Sequence, residues 1–182
     1  MTINEFASAI VNGGARPSLF RVRGNIGPTS TRTTDQFLIK AASLPSSTIE
    51  GIDLPYKGRK VRIPGDRTFE DTWSITVIAD GNMDIRKRFE TWSNTINRYN
   101  SNIPVANESE FTPFNNTAVY QDWVVEQLDR QDEVIHSYRF IGCWPASISS
   151  IELNYETTST ISEFTVELRY TLFEPVHLST QQ

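Results

Sequence analysis

Strict alternation of apolar and polar side chains near the C-terminus constrains this chain more than any other feature. Between residues 163 and 172 every second side chain is apolar. The apolar set is Phe164, Val166, Leu168, Tyr170 and Leu172, and the set between them is Thr165, Glu167, Arg169 and Thr171. A period of two places the two sets on opposite faces of a β-strand, one of which is buried. The chain must therefore build a sheet with a core on one side.

The same period recurs along most of the chain and predicts eight or nine strands. Phe20–Arg23 is the first predicted strand, and residues 36–41 are predicted to pair with it across a long polar connection. The other predicted strands are Ile49–Tyr56, Lys57–Pro64, Thr72–Ile78, Ala118–Leu128, Val134–Cys143, Ser147–Tyr155 and the alternating segment at 163–172.

Two segments follow a helical period instead. Thr2 and Glu5 form a capping-box pattern that predicts a short N-terminal helix. A second, amphipathic helix is predicted where Ile85, Phe89, Trp92 and Ile96 recur, with Asn82 or Asp84 as its cap. The predicted fold is mainly β: a single-domain sandwich or barrel, covered by one amphipathic helix, with a short N-terminal helix and a projecting β-hairpin.

Length and composition favour one domain, residues 1–182, and narrow the function. A compact monomer of 20.7 kDa exposes about 9,000 Å². The net charge of −5 argues against a dedicated nucleic-acid binder, which normally has a basic surface. One cysteine and two histidines leave little material for a disulfide or a zinc site. No segment reads as a transmembrane span or a secretory signal, so we expect synthesis in the cytoplasm.

The predicted hairpin, residues 46–64, turns at Tyr56-Lys57-Gly58 and has few core-forming residues, so we expect it to project from the body. Long polar loops are predicted at 25–35 and 99–117, and a frayed tail at 174–182. The charged or aromatic residues of the hairpin that could contact another molecule are Glu50, Asp53, Tyr56, Lys57, Arg59, Lys60 and Arg62.

No pattern in the chain indicates catalysis, and we expect neither an enzyme nor a cofactor. The segment Gly65–Asp71 holds three carboxylates and Arg67, but its spacing matches no metal-binding loop, and a turn leading into a strand is the better interpretation. Trp73, Trp92 and Trp123 fall on apolar faces, which favours burial over a sugar-binding platform.

Five segments occur in an order and spacing that resemble one known family. They are 15–22 (ARPSLFRV), 41–45 (AASLP), 62–92 (with RIPGDRTFEDTWSITV and IRKRFETW), 138–145 (YRFIGCWP) and the strand at 163–171. Together they are similar to the tail-tube proteins of contractile-tailed bacteriophages over residues 3–173. The family's strand-opening motif corresponds here to Gly65, Asp66, Arg67, Thr68 and Phe69. The loops at 25–35 and 99–117 depart from the family by being longer.

The resemblance implies a virion protein that forms homohexameric rings stacked into a tube. Its implied partners are a sheath outside, a tape-measure protein inside, and a baseplate and tail terminator at the ends. Double-stranded DNA would pass through without specific binding. The hairpin would reach the neighbouring ring, and an acidic lumen would repel DNA. Glu163 and Glu167 are the lumen candidates.

Two other functions stay open at the level of sequence. The tube of a type VI secretion or extracellular contractile injection system would share the fold and carry effector proteins. A monomeric carbohydrate-binding β-sandwich would need exposed tryptophans.

Overall fold

Two helices and nine strands form within the residues that the computed structural model describes, which are 2–10, 14–28, 37–70, 72–106, 111 and 118–176. The mainly β class is therefore confirmed. The predicted loops 25–35 and 99–117 and the tail 174–182 lie partly outside these residues. In chain order the elements are α1 (Ile3–Ala9), β1 (Phe20–Gly24), β2 (Ile39–Ala42), β3 (Ser47–Tyr56), β4 (Arg59–Phe69), β5 (Thr72–Ile78), α2 (Asp84–Ile96), β6 (Gln121–Leu128), β7 (Val134–Ile148), β8 (Glu163–Arg169) and β9 (Leu172–Pro175).

Seven strands form one antiparallel sheet in the order β1-β6-β7-β8-β5-β2, with β9 also paired to β7. The long β7 joins two halves, because residues 134–143 pair with β6 and residues 144–148 pair with β8. We call β1, β6, β9 and the first part of β7 sheet A, and we call β2, β5, β8 and the last part of β7 sheet B. Since β1 and β2 are the two ends of the order, the described strands form an open sandwich and not a closed barrel.

The inner faces of sheets A and B meet in an aromatic core that α2 covers. Trp73 of β5 stacks on Phe140 of β7 with ring centroids 4.2 Å apart, and meets Trp123 of β6 edge-on at 6.1 Å. Trp92 of α2 is also buried and donates its indole N–H to the Val119 carbonyl at 2.9 Å. The prediction that these three tryptophans belong to the core is confirmed.

Asp80, and not the predicted Asn82 or Asp84, caps the amphipathic helix α2. The N-cap residue Met83 adopts a left-handed conformation (φ 57°) and makes no side-chain capping bond. Asp80 Oδ1 instead accepts the backbone N–H of Ile85 at 3.2 Å. The intervening turn brings the Asp80 carboxylate to the first helical turn, where a negative charge is favoured.

The predicted pairing of Phe20–Arg23 with residues 36–41 is wrong. β1 pairs with β6, with Val22 opposite Val125, while β2 pairs with β5, with Ile39 opposite Val77. The two strands nearest in sequence thus occupy opposite ends of the sheet, because each pairs with a partner whose inner face supplies buried residues.

Gly142 and Pro145 bend β7 without ending it, which corrects the two predicted strands on either side of them. Gly142 has φ 70°, and the register with β8 shifts after Pro145. A bulge of this kind lets one strand cross from sheet A to sheet B. The strand ends at Ile148, so the predicted strand Ser147–Tyr155 is wrong beyond that residue.

The N-terminal helix α1 forms with the predicted capping box. The backbone N–H of Thr2 donates to the Glu5 carboxylate at 2.7 Å, and the Glu5 N–H donates to Thr2 Oγ1 at 3.4 Å. Its apolar side chains Ile3, Phe6 and Ile10 are exposed. No helix among the described residues is both long enough and apolar enough to cross a membrane.

Candidate functional site

The hairpin β3–β4 is a two-stranded sheet separate from the sandwich. Its register runs from Ser47 opposite Phe69 at the base to Tyr56 opposite Arg59 at the tip. Ten residues at roughly 3.4 Å each give a ribbon about 30 Å long. The predicted limits 46–64 are therefore too short on the second strand. Residues 65–69 continue β4 and do not form the predicted turn.

One face of the hairpin is apolar, and none of the other residues that the structure describes covers it fully. The register places Ile52 opposite Ile63 and Leu54 opposite Val61, so all four side chains share a face. Each keeps between 41% and 50% of its surface exposed. The prediction that the hairpin has few core-forming residues missed this face, although apolar and polar side chains alternate on both sides of the tip. A contiguous apolar surface of this kind marks a contact with another molecule.

The opposite face of the hairpin is charged and partly self-paired. Asp53 contacts Lys60 Nζ at 3.4 Å and Arg62 Nε at 3.3 Å. These pairs are exposed and contribute about 0–1 kcal/mol each. Asp53 is thus engaged within the hairpin, while Glu50 and Arg59 are exposed on the same ribbon.

The tip presents an aromatic ring and two basic groups. Lys57 and Gly58 have φ values of 45° and 76°, the pair of positive values that a two-residue type I′ turn requires. The Lys57 ammonium lies 5.4 Å from the centre of the Tyr56 ring. Counted over residues 47–69, the hairpin has five basic and three acidic side chains, whereas the rest of the chain has twelve basic and nineteen acidic ones.

The segment Gly65–Phe69 fastens the base of the hairpin. Arg67 Nη1 donates to the Ser47 hydroxyl at 2.7 Å. Thr68 Oγ1 donates to the Thr48 carbonyl at 3.4 Å. A Cβ at Gly65 would lie 3.0 Å from a backbone carbonyl oxygen, so the close strand pairing there favours glycine. The side chains of two further residues of this segment lie in different surroundings. Asp66 is exposed, and the ring of Phe69 packs edge-on against Phe173 of β9 with ring centroids 5.1 Å apart.

The lumen candidates Glu163 and Glu167 both lie on β8 and point away from the core. Glu163 Oε1 is 2.6 Å from Lys40 Nζ on β2, two strands away. Glu167 lies opposite Ser74 of β5. The structure thus places both carboxylates on the outer face of sheet B. Their strand, β8, is far from the hairpin in the sequence.

The groups that could have supported chemistry are dispersed or buried. Among the described residues, no three His, Cys, Asp or Glu side chains are grouped so as to hold a metal ion. Burial raises the pKa of the Cys143 thiol well above its usual range, with the Asp122 charge adding to the effect. The His136 ring packs edge-on against Tyr138.

The hairpin and α1 both leave apolar side chains exposed. Ile52, Leu54, Val61 and Ile63 of the hairpin are about half exposed, and Ile3 and Phe6 of α1 are 83% and 59% exposed. Exposed apolar surface of this kind is typical of a subunit that other molecules complete.

Comparison with known proteins places this arrangement in context. A family profile described as "Phage tail tube protein" matches residues 2–174. The tail tube protein of Serratia phage KSP90 is 31% identical over 175 residues, covering 93% of this chain and 94% of that protein. Tail tube protein gp19 of Enterobacteria phage T4 is 28% identical over 177 residues, covering 96% of this chain and 100% of that protein. The solved sheath-tube complex of an extracellular contractile injection system, PVC, contains a chain with TM-score 0.54 and 13% identity, covering 96% and 99%.

Proposed function

The chain belongs to the phage tail tube protein family, and from that premise we propose that it forms hexameric rings that stack into the tube of a contractile tail. The observation that carries this proposal is the long hairpin with its exposed apolar face. Burying such a face against another copy gains about 25 cal/mol per Å² of apolar area. The hairpin therefore supplies the contact between neighbouring rings.

The edges of the sandwich support ring formation in the same way. Within the described strands, β1 and β2 end the sheet order and leave strand edges unpaired. Such edges invite pairing with another chain unless they are covered. Joined edges from six copies would close a continuous inner barrel whose lumen conducts double-stranded DNA.

The proposed partners follow from the assembly. A sheath surrounds the tube, a tape-measure protein occupies it before DNA passes, and a baseplate and a terminator bind its ends. The solved relative that pairs a tube with a sheath supports the first of these contacts. Glu163 and Glu167 are proposed to face the lumen, where their charge would keep DNA from adhering.

The two alternative functions are less well supported. The curated relatives are phage tail tube proteins, which favours DNA over effector proteins as cargo. The carbohydrate-binding alternative needs exposed tryptophans, but Trp73, Trp92 and Trp123 are buried and Trp144 is half-buried.

Negative-stain electron microscopy and light scattering of the concentrated protein test the proposal. We expect six-fold rings or hollow tubes from the wild type. Deletion of residues 56–59 should leave a folded subunit that does not stack, because the tip and its register are lost. Circular dichroism provides the control for folding.

Two results would contradict the proposal. Wild-type protein that stays monomeric even with a baseplate or ring seed would exclude a tube subunit. Normal tubes from the deletion variant would exclude the hairpin as the stacking element.

A further inference from the structure

Residues 150–162, in the loop between β7 and β8, form an exposed surface that we call the acidic loop. It lies at the end of sheet B where Ile78 pairs with Glu163. The hairpin joins the body at the other end of the same sheet, next to the pairing of Thr72 with Arg169. Seven residues of β5 separate these ends by about 20 Å. The two surfaces therefore sit at opposite ends of the subunit's sheet B.

The acidic loop combines exposed apolar side chains with negative charge. Leu153 is 89% exposed, Tyr155 is fully exposed and Ile161 is 69% exposed. The loop and the first residue of β8 surround an open cavity of about 520 Å³. Residues 150–162 include the two acids Glu152 and Glu156 and no lysine or arginine.

The loop is held in shape despite having no strand partner of its own. The Ala79 N–H donates to the Ser162 carbonyl at 2.9 Å at one end. Within the loop, the Glu156 N–H donates to Asn154 Oδ1 at 2.9 Å, and the Thr157 N–H donates to the Asn154 carbonyl at 3.2 Å. A fixed concave surface needs less ordering when a partner binds it.

We propose that the acidic loop is the receptor for the hairpin of a second copy in the neighbouring ring. This inference rests on the proposed tube function and identifies the other half of its stacking contact. The hairpin offers an apolar face and a basic tip, and the loop offers apolar side chains and glutamates. Because the two surfaces lie at opposite ends of sheet B, copies that join through them stack head to tail.

The helix α1 is another exposed apolar element, and charge disfavours it as the occupant. Within residues 2–10 it has one charged side chain, Glu5, which has the same sign as the loop. The hairpin has two more basic than acidic side chains and brings Lys57 and Arg59 to its tip. Opposite charges across a contact favour association and like charges oppose it.

A charge swap tests the pairing through sedimentation of tubes. Glu152→Lys with Glu156→Lys should lower the pelleted fraction by about tenfold or more, and Lys57→Glu with Arg59→Glu should do the same. Combining all four changes should restore tubes, because the contact is again between opposite charges. Asp132→Lys with Glu133→Lys makes the same change of charge in the exposed β6–β7 turn and should leave assembly intact.

Cross-linking gives a second readout that does not depend on charge. A Tyr56→Cys subunit mixed with a Tyr155→Cys subunit should form dimers with a short bismaleimide. The native Cys143 is fully buried and does not compete. A Tyr99→Cys subunit used in place of the Tyr155→Cys subunit should give no dimer, although Tyr99 is also exposed.

The results separate this inference from the function on which it rests. Wild-type protein without rings or tubes would contradict the tube function itself. Tubes from the wild type and from the Glu152→Lys/Glu156→Lys variant alike would overturn only the receptor assignment. Failure of the fourfold variant to recover, or equal cross-linking through position 99, would overturn it as well.

Discussion

At the scale of single residues, Leu168 and Leu153 show how the position of a leucine decides how much it contributes to stability. Leu168 on the inner face of β8 is fully buried, whereas Leu153 in the acidic loop is 89% exposed. Alternation in the sequence identified the first correctly. Gly24 is a contrasting case: a Cβ there would overlap the Trp123 ring, a close approach that no local sequence pattern reveals.

Leu168→Asp should unfold the subunit. A carboxylate buried without a partner costs several kcal/mol, which is comparable to the whole stability of a domain. Leu153→Asp makes the same chemical change in solvent and should shift stability by less than about 0.5 kcal/mol. Urea unfolding followed by circular dichroism compares the two. A Leu168→Asp variant as stable as the wild type would mean that the faces of β8 are reversed.

At the scale of elements, the sequence predicted the type of most helices and strands, but it missed β9, placed a strand beyond Ile148 and did not predict the pairing. The period of two in β5, β6 and β8 reflects burial on one face, so these strands were predicted. The partner of β1 depends on which distant strand completes its inner face, and proximity in sequence suggested β2 wrongly. Gly142 and Pro145 look like strand ends, but the register shift of β7 accommodates them.

The same limit applies to the candidate site. Its charged residues could be named from the sequence, whereas the apolar face made by Ile52, Leu54, Val61 and Ile63 required the register. The acidic loop was predicted in part as a strand. Its relation to the hairpin depends on the antiparallel pairing of β5 with β8, which no local pattern encodes.

The start of α2 provides a test at this scale. Asp80→Ala should lower the free energy of unfolding by about 1 kcal/mol, because the Ile85 N–H loses its acceptor. Asn82→Ala removes the side chain that the sequence suggested as a cap and should have little effect. Denaturant midpoints measured in parallel decide between them. A larger loss for Asn82→Ala would show that Asp80 does not cap the helix.

At the scale of the whole molecule, the exposed apolar side chains of the hairpin and of α1 are the dominant property. The sequence could not reveal this exposure, because composition reports how much apolar material exists and not whether one copy or several will cover it.

The melting temperature should therefore rise with protein concentration. Association stabilises the native state by mass action, and a tenfold increase in concentration gives up to about 1.4 kcal/mol, or about 3–6 °C for a chain of this length. Differential scanning calorimetry over a dilution series measures the effect. The variant without residues 56–59 is the control: it keeps the ring contacts but loses the stacking contact, so its melting temperature should rise less steeply with concentration. A wild type whose melting temperature is independent of concentration would contradict the expectation.

The location of the hairpin and the acidic loop at opposite ends of sheet B gives any stack built through them a polarity. One terminus of such a filament presents unfilled, glutamate-rich cavities, and the other presents free, positively charged ribbons. A protein that initiates growth and one that arrests it must therefore carry opposite chemistry. Neither of these two proteins can replace the other, because the structure of each subunit already determines the direction of the filament.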